Sequence, residues 1–356
     1  MTSKASFGVP PGAIAKVHII DSGFRLSGMA TSCLLTPAME NFDTMPPLGS
    51  WCFLVESSTG RRVLFDLGGP SDISSFAPSV AGAVQQLGVT VEGSKPVAKI
   101  LGENGIDPAR IDSVIWSHGH WDHVGDITAF PSTTDLIVGP GFKEAYCPGY
   151  PTKSDVELPE SCFEGRTVRE VDFSYNEAEL KVGGFRAVDF FGDGSFFLLD
   201  TPGHAVGHLA ALARTASDPD TFIFMGGDLC HHGGEIRPSP HLPIPAEVRL
   251  SVFDPFRSHD GALFRELNVK RGRKPDEPFF DPVLTVDFPR AVQTIKEAQE
   301  SDAQSDVFFV FAHDMSMCDV VDFFPKSAND WKLKDWKQKA LWGFLADLAP
   351  AAKSGP

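Results

Sequence analysis

Residues 116–126 read WSHGHWDHVGD, so three of the chain's eleven histidines fall within six positions. The stretch that leads into them, IDSVIWS at 111–117, is the apolar, β-branched run of a buried strand. On an extended backbone side chains repeat every second residue, which puts His118 and His120 on one side, with Asp122 and His123 on the turn that follows. A polar loop bonded only to backbone, or one catalytic histidine with accessory carboxylates, would not require this spacing. Neutral imidazole beside carboxylate is the donor set of zinc and similar ions. One short peptide here offers two ligands to one ion and two to its neighbour.

Three further strands end in the same manner. FFLLDTPGH (196–204) closes on His204, TFIFMGGD (221–228) on Asp228, and VFFVFAH (307–313) on His313. Loops just past strand ends are where layered α/β proteins assemble their sites. The expectation is that His118, His120 and His204 hold one ion and that Asp122, His123 and His313 hold the other. Asp228 bridges them at the roughly 3.5–4 Å typical of two-metal hydrolytic sites.

Hairpins are signalled by the ESSTGRR turn (56–62) and by the Gly-Asp-Gly-Ser turn inside FRAVDFFGDGSFFLLD (185–200). Apolar spacing predicts helices within FAPSVAGAVQQLGVTV (76–91), VAKILGENGI (97–106) and PRAVQTIKEAQE (289–300), and a C-terminal helix near 330–349. The pattern predicts an α/β chain, a single domain over 1–356, with two packed sheets covered by helices. Two irregular stretches rich in proline, 143–178 and 233–282, read as loop insertions that cap the site.

With these motifs in this order, the chain resembles the metallo-β-lactamase superfamily over about residues 15–320. The matched positions run from VLFDLG (63–68) through 118–123 to 204, 228 and 313. The resemblance implies an αβ/βα four-layer sandwich with its site at one edge. It implies two divalent metal ions, zinc first, although Mn, Fe or Co suit the same ligands. Asp66 corresponds to an aspartate that orients a ligand histidine without touching metal. The chemistry implied is hydrolysis, with hydroxide generated on the two metals attacking a carbonyl.

Substrate class narrows from here. Penicillin-degrading members generally carry cysteine or no ligand where this chain has Asp228. A formal charge of −16, from 31 basic and 47 acidic residues, disfavours a nucleic-acid substrate. Within the superfamily the chain resembles the acyl-homoserine-lactone lactonases, through SWCFLVE (50–56), VLFDLG and SHGHWDHVGD (117–126). Those lactonases place a tyrosine three residues after the bridging aspartate, whereas this chain has His231, followed by His232. Histidine can donate a hydrogen bond or a proton near neutral pH. His231 therefore joins Asp122, the expected proton shuttle, as a candidate catalytic residue, and Trp121 and His232 are candidate pocket residues. The expected activity is opening of a small, largely apolar cyclic ester, lactam or cyclic carbamate, as in detoxification or quorum quenching. An acyl-thioester hydrolase of the same superfamily is the alternative.

Six cysteines without a C-x-x-C pair give no disulfide or zinc-ribbon framework. No apolar run reaches the roughly 18 residues of a membrane span, and the first residues lack a secretory pattern. A soluble cytoplasmic protein is expected, with a small-molecule substrate and no membrane or nucleic-acid partner.

Overall fold

Alternation along the strands sets the layers. In FFLLD, Phe196 and Leu198 fall on one face and Phe197 and Leu199 on the other, and both faces are buried. A strand apolar on both sides belongs between two covering layers. The structure, a computed structural model, describes residues 8–174, 180–251, 253 and 258–353.

The first six-stranded sheet contains, in spatial order, β1 (Lys16–Asp21), β2 (Trp51–Glu56), β3 (Arg62–Phe65), β4 (Ser113–Ile115), β5 (Asp135–Val138) and β6 (Val168–Glu170). β1, β2 and β3 pair antiparallel, and β3 through β6 pair in parallel. The second six-stranded sheet contains β7 (Lys181–Val182), β8 (Phe185–Asp189), β9 (Phe196–Asp200), β10 (Leu209–Ala216), β11 (Thr221–Met225) and β12 (Val307–Val310). Its pairs are antiparallel up to β11, which β12 joins in parallel.

Helices α1 (Pro78–Leu87), α2 (Val97–Glu103), α3 (Trp121–Val124) and α4 (Phe142–Tyr146) accompany the first sheet. Further on come α5 (Ala262–Lys270), α6 (Phe288–Ala303), α7 (Trp336–Ala340) and α8 (Leu345–Lys353). α6 starts where the Asp287 carboxylate accepts the N–H of Arg290, with proline in the first turn.

Between the sheets, Phe53, Phe65 and Ile115 meet Leu198, Ile223 and Val310. On the outer face of the first sheet, Leu54, Leu64 and Val114 lie under Val80 of α1, Leu101 of α2 and Phe142 of α4. On the outer face of the second, Leu199, Leu212 and Phe309 lie under Ile295 and Ala298 of α6. The result is the expected four-layer sandwich. Burying each of the larger side chains contributes roughly 1.5–3 kcal/mol, so both strand faces hold the sheets in place.

Three details differ from the sequence reading. The stretch 143–178 is not all loop, because the alternating TVREV segment supplies β6 at the sheet edge. The C-terminal helix near 330–349 is two helices, α7 and α8, the first preceded by Asp335 in the left-handed region at φ 59°. In 233–282, Ile244, Val248, Phe264 and Phe280 pack with Phe24, Leu34 and Leu345 in a separate apolar cluster. Residues 175–178, 252 and 254–257 of those two stretches lie outside the described residues. All six cysteines are unpaired. No helix among the described residues is long and apolar enough to cross a membrane.

Candidate metal centre and pocket

Every predicted ligand lies just past the carboxyl end of a strand. The loop after β4 carries His118 to His123, that after β9 His204, that after β11 Asp228, and that after β12 His313. His118, His120, His204 and Asp228 form one group of donor atoms and Asp122, His123 and His313 a second, with the atoms of each group within 4.8 Å of one another.

In the first group, His204 Nε2 lies 3.2 Å from His118 Nε2 and 3.1 Å from His120 Nδ1. Nitrogens bound at 2.0–2.1 Å to one tetrahedral ion stand about 3.3 Å apart. The spacing is that of a coordination shell. Asp228 divides its carboxylate between the groups: Oδ1 is 3.0 Å from both His123 Nε2 and His313 Nε2, while Oδ2 is 3.7 Å from His118 Nε2 and 3.6 Å from His204 Nε2. Asp122 Oδ2 stands 4.0 Å from His123 Nε2 and 3.8 Å from His313 Nε2, facing the pocket.

Hydrogen bonds outside this shell fix the rings. Asp66 Oδ1 accepts the backbone N–H of Ser117 at 2.7 Å, and Oδ2 accepts the Ser117 hydroxyl at 2.8 Å. With its proton committed to Asp66, the Ser117 hydroxyl accepts from His118 Nδ1 at 3.0 Å. His123 Nδ1 donates to Asp66 Oδ2 at 2.9 Å, and His313 Nδ1 donates to the Gly49 carbonyl at 2.5 Å. All three histidines are thereby tautomers with the Nε2 lone pair aimed at the centre.

His123 Nε2 and Asp228 Oδ1 are buried and make no hydrogen bond despite their approach. Such orphaned groups cost roughly 1–3 kcal/mol each unless something else satisfies them. Burial holds His118 and His204 well below the ordinary imidazole range, which keeps them neutral and able to donate lone pairs. Burial opposes a charge on His123 too, yet Asp228 and Asp122 lift it well above that range. The carboxylates call for positive charge at this point. Divalent metal ions fit this donor set.

His208, four residues after His204, has a supporting part. Its Nδ1 donates to the Thr201 carbonyl at 2.9 Å, and its Nε2 accepts the backbone N–H of Asp228 at 3.1 Å. Burial pushes it down to about 4, so it stays neutral.

His231 and His232 part company. His231 Nε2 lies 3.4 Å from Asp228 Oδ2, and its ring lines the main pocket. Burial opposes a charge there, but Asp228 and Glu235 push it up to about 10. The buried Glu235 carboxylate accepts the backbone N–H groups of His231 at 2.6 Å and His232 at 2.9 Å, which fixes the turn. His232, expected in the pocket, is a helix cap instead: its Nδ1 accepts the Gly234 N–H at 3.0 Å, and its Nε2 lies 3.3 Å from Asp347 of α8. Its ring packs among Phe42, Phe280 and Phe344, beside a smaller cavity of about 180 Å³ behind His231. Adjacent residues on this turn thus meet different neighbours, although both line the smaller cavity.

The main pocket has a volume of about 480 Å³, with Asp122, Asp228, His231 and His313 on its lining and Leu26, Met29, Val84 and Leu87 among its apolar walls. No lysine or arginine among the described residues lines it. Trp121 lines the pocket and also packs edge-on against Phe24, with ring centroids 5.6 Å apart. From the stretch 143–178, Tyr146 and Val156 line it as the cap expectation requires, whereas no described residue of 233–282 does. Gly119 explains the middle of the HGH motif: a Cβ there would lie 2.9 Å from Tyr146 Cζ. Tyr146, Glu157 and Glu235 carry no motif and were beyond sequence reasoning.

The metallo-β-lactamase superfamily model matches residues 45–218. The chain is 41% identical over 344 residues to the γ-lactamase FDB1 of Fusarium pseudograminearum, covering 94% of this chain and 82% of that protein. It is 43% identical over 355 residues to the metallo-hydrolase mfmC of Annulohypoxylon moriforme, covering 97% of this chain and 91% of that protein. A solved structure of AiiA from B. thuringiensis, with N-decanoyl-L-homoserine bound at its active site, matches with a TM-score of 0.57 at 18% identity, covering 89% of this chain and 100% of that one. At that identity the likeness is one of fold. The chain belongs to the metallo-β-lactamase superfamily.

Proposed function

We propose that the chain, a single domain over 1–356, is a binuclear metal-dependent hydrolase that opens a small, neutral cyclic amide, ester or carbamate. The observation that carries the reading is the division of the Asp228 carboxylate between two histidine groups beside an apolar pocket. His118, His120, His204 and Asp228 would hold one ion, and Asp122, His123, His313 and Asp228 the other. Zinc suits imidazole and carboxylate at these spacings, and Mn, Fe or Co are the alternatives. When bound, two divalent ions supply Lewis acidity and bring the pKa of water towards about 7.

The chain's own residues do the rest. The walls formed by Leu26, Val84 and Leu87 take up the apolar part of the substrate and exclude bulk water. Asp122, on the pocket side, accepts a proton as the carbonyl is attacked and returns it to the leaving nitrogen or oxygen. His231, on the pocket lining with Nε2 3.4 Å from Asp228 Oδ2, donates to the carbonyl oxygen, where charge develops. The γ-lactamase relative supports the lactam member of this class. The lack of Lys and Arg on the described lining supports a neutral substrate over thioesters of anionic carriers. Six unpaired cysteines suit a reducing compartment, so a cytoplasmic setting is part of the proposal.

The test is turnover of a panel of γ-lactams, γ-lactones and acyl thioesters by the metal-loaded protein. Hydrolysis of the cyclic compounds is expected, and turnover confined to thioesters would overturn the reading.

A further inference from the structure

Two carboxylates on the pocket wall, Asp155 and Glu157, stand apart from the metal centre. Neither side chain has a hydrogen-bond or ion-pair partner among the described residues. Glu157 is the less exposed of the two. Its place is fixed by Val156 and Leu158, both buried, and by its own carbonyl, which accepts the N–H of Ala77 at 3.1 Å. Burial raises its carboxyl pKa first and the charge of Asp122 raises it further, while burial and then Glu157 raise that of Tyr146. Tyr146 covers Gly119 between the two ligand histidines of the HGH motif. Gly119, Tyr146, Glu157 and Asp122 all line this one pocket, which also holds the ligand residues His120, Asp228 and His313 on its wall.

A carboxylate on a pocket wall without cations is solvated while the pocket is open, and when a ligand covers it and displaces that water it pairs only with a donor that the ligand brings. A site that pairs with a substrate N–H discriminates against the analogue lacking it, because the protein group is then left unpaired. We propose that Glu157 is a specificity-determining residue whose carboxyl accepts a hydrogen bond from a substrate N–H, so that the pocket favours lactams and cyclic carbamates with a free N–H over N-alkylated analogues and lactones of the same shape. The inference rests on the reading of the site as a hydrolase of small cyclic compounds. It adds the chemical feature by which one cyclic compound is chosen over another.

The experiment compares a γ-lactam, its N-methyl derivative and the γ-lactone of the same carbon skeleton. Each is assayed with metal-loaded wild type, Glu157→Leu and Glu157→Gln, with metal content and melting temperature measured for every variant. Glu157→Leu is expected to lower kcat/KM for the N–H lactam about tenfold and to leave the N-methyl lactam and the lactone within about twofold. Glu157→Gln keeps an acceptor oxygen and should retain most of the preference. Calorimetric binding of the intact compounds to metal-free protein supplies a second readout, in which Glu157→Leu should weaken only the N–H lactam. An equal fall for all three substrates, or a preference that survives Glu157→Leu, would overturn the proposal. Wild type that turns over none of the three contradicts the hydrolase reading, and the calorimetric comparison still decides whether Glu157 reads an N–H.

Discussion

His208 Nε2 accepts the backbone N–H of Asp228 at 3.1 Å, while the opposite corner of the ring donates to the Thr201 carbonyl at 2.9 Å. A neutral, buried histidine thus holds the main chain of the residue whose carboxylate serves both donor groups. His208→Leu keeps much of the volume and leaves the Asp228 N–H unpaired. We expect a loss of about 1–3 kcal/mol of stability and a fall of roughly 10–100-fold in metal affinity. Thermal melting and titration against a competing chelator measure the two, and unchanged affinity would show that the bridging residue needs no such anchor.

Asp66 bonds His123 Nδ1 and both the amide and the hydroxyl of Ser117, from a left-handed backbone at φ 58°. Asparagine tolerates that conformation, so Asp66→Asn tests the carboxylate without straining the turn. A decrease of roughly 10–100-fold in metal affinity is expected with the fold intact, as read by circular dichroism. An equal loss of structure would mean that Asp66 serves folding before it serves the ligand.

Gly119→Ala would drive a Cβ to within 2.9 Å of the Tyr146 ring. Overpacking of this kind costs about 1–3 kcal/mol, and a displaced Tyr146 narrows the pocket it lines. Adding Tyr146→Ala should return much of the stability, a coupling that a double-mutant cycle detects. Additive effects would show that the two residues do not press on one another.

Chelation should lower the melting temperature, because ions that bind only the folded chain stabilise it by mass action. The apolar layers on either side of each sheet do not include the ligands, so far-UV circular dichroism below the transition should persist. Re-addition of zinc should restore the melting temperature. Collapse of the secondary structure on chelation would point instead to ions that staple the fold.

The metal centre was legible because its signals are local. A strand pattern followed by His, Asp or both recurs four times, and HGHWDH alone carries four of the seven expected ligands. What surrounds it is tertiary. His208 sits four residues after His204, but its role depends on where the loop after β11 passes. Tyr146 and Glu157 come from a stretch with little periodicity and reach the pocket only because β6 and α4 anchor its ends. His232 looks equivalent to His231 until the turn held by Glu235 gives the two rings different neighbours. The stretch 233–282 is rich in proline, as a cap would be, yet Phe264, Phe279 and Phe280 find partners in Phe24, Leu34 and α8 rather than over the pocket.

Elemental analysis of wild type and Asp228→Ala, both purified without chelator and reloaded in excess metal, tests the shared carboxylate most directly. The account predicts about two ions per chain in wild type, the number a two-metal hydrolytic site holds, and at most about one in the variant. Wild type saturating at about one ion, or a variant that retains both, would contradict it.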